Sequence, residues 1–203
     1  MSLPVHTQSP LLQGDKGYRI SPALREKIEQ IEFKLRLSEP ARRYLWQCID
    51  GGPSRQVQGR IGNAVVRYPS RKMGLSLMLE SRQGELAAVT LLEHDPSVLA
   101  YFAQPPQVEL TLTREDGTTT TRTQYTPDLL IVREDQIAIR ELRDQGRIFS
   151  ASESNLHQFY KDKTGQWHYR AAQEHFEALG FTTSGSGNTM YGLDRKNVTF
   201  RSA

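Results

Sequence analysis

The sequence predicts an α/β protein, a mixed sheet flanked by helices with a small helical preface, and three observations carry that expectation. Two stretches near the N-terminus repeat apolar residues at helical spacing behind Ser21-Pro22 and Ser38-Glu39-Pro40. From Val98 to Leu142 the pattern changes to short apolar runs separated by polar turns, as strands require. A last apolar-faced stretch, stopped by Gly180, returns to helix. Helix, hairpin sheet and helix in that order make a layered α/β or α+β sandwich.

Taken in order, residues 1–19 are polar and aperiodic and read as a loose arm. Ser21 supplies a capping hydroxyl and Pro22 a first helical residue whose missing N–H costs nothing there. Leu24, Ile28, Ile31 and Leu35 then share one helix face. A second helix starts at Ser38-Glu39-Pro40, with Tyr44, Leu45, Cys48 and Ile49 as its buried side, and Gly51-Gly52-Pro53 ends it. Cys48 has no basic neighbour on its turn and reads as core filler. Pro53 to Gly74 reads as an irregular, basic stretch leading into Leu75–Leu79. A helix is expected from Glu80 to Glu93, stopped by His94-Asp95-Pro96. Strands follow at Val98–Phe102 and around Val108, Leu110 and Leu112, with Glu115-Asp116-Gly117 as a hairpin turn and the threonine run returning antiparallel. Leu129–Val132 and Ile137–Leu142 form a further hairpin, and Trp167–Leu179 the last helix. The expected division is an arm and helical preface at 1–52, a main domain at 53–183 and a tail at 184–203.

Composition narrows the class. The 203 residues are 37% hydrophobic and 24% charged, with a net charge of +3. No apolar run is long enough for a bilayer, and the start has no secretory pattern. One cysteine excludes an intramolecular disulfide and a cysteine zinc cluster, so a reducing, cytoplasmic setting is expected. The histidines lack zinc-ligand spacing, and Ser184-Gly185-Ser186-Gly187 lacks the Lys-Ser/Thr of a phosphate loop. Charge is distributed unevenly: Arg55, Arg60, Arg67, Arg71 and Lys72 lie in a stretch free of acids from Pro53 to Leu79. Such a stretch suits DNA phosphates, with Arg67, Arg71 and Lys72 as candidate contacts, although a solvated loop has the same composition.

The chemistry concentrates in Tyr125-Thr126-Pro127-Asp128 and Glu141-Leu142-Arg143. Strand alternation puts Glu141 and Arg143 on the side of Ile137 and Ile139. A hairpin would bring Asp128 to Glu141, and two adjacent carboxylates call for a cation or a proton between them. Magnesium, with oxygen ligands and retained waters, fits that demand. Glu85 shares a helix face with Val89 and Leu92 and is expected to point inward, while Glu93 is expected to meet solvent. Proline-aspartate followed by acid-x-lysine on a hairpin, supported by a helical glutamate, is the arrangement of the restriction-endonuclease-like core. Otherwise Asp128 caps a turn and Glu141–Arg143 is a solvated strand end.

More specific strings are Arg67-Tyr68-Pro69-Ser70-Arg71-Lys72-Met73-Gly74, Glu80-Ser81, Glu85-Leu86 and Leu92-Glu93-His94-Asp95-Pro96-Ser97-Val98-Leu99. With Gln104-Pro105-Pro106, Tyr125–Asp128 and the segment Gly165–Phe181, they make the chain resemble the endonuclease subunit TnsA of heteromeric, Tn-seven-type transposases, from about Leu37 to Gly180. The resemblance implies a restriction-endonuclease-like fold, dependence on Mg2+ or Mn2+, and cutting of the 5′ ends of a transposon. It implies as partners the transposon-end DNA, an integrase-type transposase subunit that handles the 3′ ends, and an AAA+ ATPase regulator. It places the catalytic set at Glu85, Asp128, Glu141 and position 143, and the metal set at Glu85, Asp128, Glu141 and Leu142. Position 143 departs from the pattern: the family has lysine there and this chain has Arg143. Arginine stays protonated and cannot act as a base, though it can stabilise a phosphorane. Two other readings therefore stand beside the transposition endonuclease. One is a weakened or inactive nuclease-fold module that binds DNA and docks the transposase; the other is a defence or repair nuclease.

Overall fold

The computed structural model describes residues 17–54, 65–80, 83–113, 120–142, 159–163, 165 and 167–184. Helix α1 spans Pro22–Leu35, and Ser21 Oγ accepts the Leu24 N–H at 3.2 Å, the cap expected of a serine before proline. Arg36 closes α1 in a left-handed conformation. Helix α2 spans Glu39–Gly51 and is capped by Ser38 in the same way. Its buried side is Ala41, Tyr44, Leu45, Cys48 and Ile49. Cys48 is fully enclosed, and burial pushes its thiol far above the ordinary range, which suits a packing role.

Two antiparallel strands follow, β1 (Val65–Ser70) and β2 (Leu75–Glu80), then helix α3 (Gln83–His94). The central sheet is mixed and ordered β10-β7-β6-β3, built from β3 (Val98–Ala103), β6 (Leu129–Arg133), β7 (Ile137–Arg140) and β10 (Thr182–Ser184). Strand β6 runs antiparallel to β3 and β7, and β10 joins β7 in parallel. Strands β4 (Val108–Thr113) and β5 (Thr120–Tyr125) form a separate hairpin, as do β8 (Phe159–Lys161) and β9 (Trp167–Tyr169). Helix α4 (Arg170–Ala178) ends at Gly180, whose φ of 82° is the left-handed geometry glycine tolerates. The result is a mixed α/β protein with several small sheets rather than one broad one.

The two faces of the central sheet are covered differently. Tyr101 points to α3, where its hydroxyl donates to Glu93, and Phe102 points the other way against Tyr18, with ring centroids 5.1 Å apart. On the Phe102 side, Tyr44 of α2 meets Phe176 of α4 edge-on at 5.5 Å. The helical preface thus shares one continuous core with the sheet, running from Ile28 and Leu45 to Phe102, Leu130 and Phe176.

Several boundaries differ from the sequence expectation. Val65–Ser70 is a strand, because Val65, Val66 and Tyr68 find a partner in β2 that local composition does not reveal. Glu80 ends that partner strand instead of opening the helix. Trp167–Tyr169 is strand, paired with Phe159–Lys161, so the last helix begins three residues later than expected. Residues 17–19, read as the end of a loose arm, are tied down: the Tyr18 N–H donates to Ile49 O at 2.8 Å and its hydroxyl to Ala103 O at 2.8 Å. The Thr113↔Thr120 pairing is what a hairpin turn at 115–117 needs, but that turn lies outside the described residues. Residues 1–16 of the arm and 185–203 of the tail lie outside them too.

Glu93 is the largest local correction. It is half-buried, not solvated, and its carboxylate accepts Ser70 Oγ (2.7 Å), Tyr101 Oη (2.6 Å), and the backbone N–H groups of Arg71 (2.9 Å) and Lys72 (3.0 Å). Burial opposes its charge, but these hydrogen bonds outweigh burial and hold its pKa below the usual carboxylate value. A depressed folded-state pKa gives stability that is present above the unfolded value and lost as pH falls through the folded one. Glu93→Gln is therefore expected to destabilise the fold by about 2 kcal/mol at neutral pH. The gap to the parent should begin to narrow below about pH 4, where the unfolded carboxyl titrates, and should close only below the folded value. Denaturant melts at pH 7 and pH 3 check this; an equal gap at both would show that the charge does not hold the turn.

Candidate functional site

One end of the central sheet gathers the chemistry. The β6–β7 register pairs Leu129 with Arg140, and carried one residue outward it sets Asp128 beside Glu141. The β3–β6 register pairs Ala103 with Leu129, and the same step sets Gln104 beside Asp128. The Gln104 N–H confirms that step by donating to Asp128 O at 2.8 Å. Gln104, Asp128 and Glu141 thus form a row across three neighbouring strands, just past the strand ends.

Hydrogen bonds hold the row. Asp128 Oδ2 accepts the Leu142 N–H at 2.6 Å, which locks the end of β7 against the start of β6. Glu141 Oε2 accepts the Tyr125 hydroxyl, and Tyr125 in turn packs on Tyr169 at 5.7 Å and Phe176 at 6.4 Å. Strand β7 stops at Arg140, two residues earlier than the sequence suggested, although the Glu141 N–H still donates to Ser184 O of β10 at 3.4 Å. Both carboxylates are partly buried.

Glu85 belongs to α3, which packs against β3. Only 95–97 separate α3 from β3, so the two run in opposite directions. The 12 residues of α3 cover about 18 Å and the six of β3 about 20 Å, so the two elements are of similar length. Glu85 lies in that first turn and is 7% exposed. The opposite end of α3 is pinned by Asp95, which accepts the Ser97 N–H at 2.9 Å and Arg133 Nη1 at 2.8 Å.

Among the described residues, no three His, Cys, Asp or Glu side chains are grouped so as to hold a metal ion. The sheet alternation explains the geometry: α3 covers one face, whereas Glu141 follows Ile137 and Ile139 on the other. Asp128 and Glu141 remain a neighbouring pair, and magnesium is commonly bound by one or two carboxylates with waters completing its shell. The residues present fit an ion of that kind. Arg143 lies outside the described residues.

The basic residues divide. Arg67 and Arg71 are exposed. Lys72 plays a structural part, because its Nζ donates to Asp95 O and Val98 O, both at 2.6 Å, and so ties the β1–β2 turn to the end of α3. Burial lowers its pKa, an effect that nearby Glu93 and Asp95 oppose. The expectation that Lys72 meets phosphate conflicts with that engagement.

Two residues here were given no role by the sequence, Gln104 having counted only in the Gln104-Pro105-Pro106 string. Arg140 lies directly before Glu141, and burial, followed by the charge of Arg133, lowers its proton affinity. Gln104 is 4% exposed, and among the described residues neither its Nε2 nor its Oε1 has a hydrogen-bond partner. Leaving such groups dry costs about 1–3 kcal/mol each. The available signal was an amide ending the apolar run Val98–Ala103 and facing Pro105-Pro106. Compared with known proteins, the chain matches no family model and no curated sequence. No helix among the described residues is long and apolar enough to cross a membrane.

Proposed function

We propose that this chain is a divalent-metal-dependent DNA endonuclease with a restriction-endonuclease-like core, working at transposon ends as the TnsA-like half of a heteromeric transposase. The observation that carries the reading is the side-by-side placement of Asp128 and Glu141 at two adjacent strand ends. The resemblance of Pro69–Gly74 and Glu93–Leu99 to that family adds support. In this reading Asp128, Glu141 and the Leu142 carbonyl hold the ion, and Glu85 serves the site from the first turn of α3. When bound, Mg2+ or Mn2+ activates the attacking water and polarises the phosphate. The protein itself fixes the carboxylates: Tyr125 orients Glu141, and the Leu142 N–H orients Asp128. Partners would be an integrase-type transposase and an AAA+ ATPase, in the cytoplasm. A nuclease-fold module that binds DNA without cutting it is the second reading, favoured by arginine at position 143.

Nicking of a labelled transposon-end duplex in Mg2+, with and without the partner transposase, separates the readings. Cleavage at the 5′ end that needs the partner supports the proposal. Cleavage of any duplex without the partner points to a defence or repair nuclease, and binding without nicking points to the module.

Arg67 and Arg71 are the expected phosphate contacts. Arg71 lies by the end of α3, eight residues from Glu85 as Glu93 marks it, or about 12 Å along the helix. That is about three to four nucleotides at 3.4 Å per step. Arg67→Ala with Arg71→Ala is expected to flatten the salt dependence of DNA binding by about two counterions, whereas Lys72→Ala should lower thermal stability first. An unchanged salt slope in the double variant would remove both arginines from the interface.

A further inference from the structure

Gln104 carries two costs that packing does not explain. Its φ of 50° is left-handed, a conformation side-chain-bearing residues rarely adopt, and the following Pro105 restricts it further. Among the described residues, its carboxamide is buried with both polar atoms unpartnered, and the Thr183 hydroxyl is the only other such buried side-chain group. A residue selected for stability alone would be glycine for the backbone or an apolar side chain for the burial. Strain and unmet polar groups of this kind collect at functional sites.

Its backbone is fixed from three directions. The N–H donates to Asp128 O, the carbonyl accepts the Ser54 N–H at 2.9 Å, and Tyr44 Oη donates to the Pro106 carbonyl at 2.9 Å. The helical preface therefore clamps the 104–106 loop, and the loop clamps Asp128. The backbone bond sets Gln104 directly beside Asp128, with Glu141 next in the row.

We propose that Gln104 is a positioning residue of this site, its carboxamide hydrogen-bonding to the water shell of a divalent cation held by Asp128 and Glu141. The inference rests on the metal-dependent reading above. Magnesium and manganese keep waters when they bind few protein ligands, and those waters need partners. A carboxamide supplies both kinds: Oε1 accepts from an ion-bound water, and Nε2 donates to a carboxylate or water oxygen. Groups that orient a metal site from behind its ligands typically matter about ten- to a hundredfold in metal affinity.

The test is calorimetric titration of Mn2+ into the full chain and into Gln104→Met, Gln104→Asn and Asp128→Ala, with thermal melts of the metal-free proteins. Gln104→Met is expected to melt no lower than the parent without metal, and to bind Mn2+ about ten- to a hundredfold more weakly. Gln104→Asn, with its amide drawn back by one methylene, should fall between them. Unchanged Mn2+ affinity in Gln104→Met overturns the inference and leaves the metal site standing. A lower metal-free melt or failure to fold in that variant also overturns it, because the carboxamide would then be structural. If the parent binds no Mn2+, or Asp128→Ala binds it equally well, the metal-dependent reading falls and this inference falls with it.

Discussion

Asp128→Asn is expected to abolish DNA cleavage while leaving the fold intact. On the proposed reading, removing the charge removes the pair that would hold the ion, and metal activation of water is worth several kcal/mol, about a thousandfold or more at 1.36 kcal/mol per decade. Asparagine retains an oxygen that can accept the Leu142 N–H, now bonded to Asp128 Oδ2 at 2.6 Å. Asp128→Ala lacks that acceptor, so it should lose activity to the same degree and about 1–3 kcal/mol of stability as well. Nicking rates and melts of the two variants check both statements. A cleaving Asp128→Asn protein would move the chemistry away from this end of the sheet. A dead Asp128→Asn protein that melts with the parent would assign the loss to charge.

Arg143→Lys is expected to cut faster than the parent. Arginine supplies a permanent charge to a developing phosphorane but presents it on a wide planar fork, while lysine offers a compact donor with adjustable proton affinity. A misplaced stabilising donor costs about a hundredfold in rate, so the gain should be easily measured in a nicking assay with Mg2+ and the partner transposase. A slower Arg143→Lys protein would make arginine the adapted catalytic residue of this chain. Arg143→Ala provides the baseline: if it matches the parent, residue 143 takes no part in the chemistry.

What the sequence made legible was local. Ser21-Pro22 and Ser38-Glu39-Pro40 announce α1 and α2 because capping is decided within one turn. The Leu129 and Ile137 runs announce β6 and β7 because a buried hairpin needs apolar residues flanking a polar turn. Strand β1 and the β8–β9 hairpin were hidden for the opposite reason, since their strand state depends on partners ten or so residues away. Within the site, proline-aspartate and the acid at 141 were visible as motif. The surroundings of Glu93 were not, because four donors from two distant segments, 70–72 and Tyr101, meet it only after folding. Gln104 was equally hidden. An amide before two prolines reads as a loop residue until the β3–β6 register sets it beside Asp128.

Strand register also explains why the acids converge unevenly. Asp128 and Glu141 are neighbours by strand pairing, whereas Glu85 comes from a helix on the opposite face. On the proposed reading, the Asp128–Glu141 end of the sheet is a divalent-metal site serving phosphodiester cleavage. Its most direct test is anomalous scattering from crystals soaked in manganese. One strong peak is expected within coordination distance of the Asp128 and Glu141 carboxylates, absent in Asp128→Asn. A soaked crystal with no peak there, or with the same peak in Asp128→Asn, would contradict it.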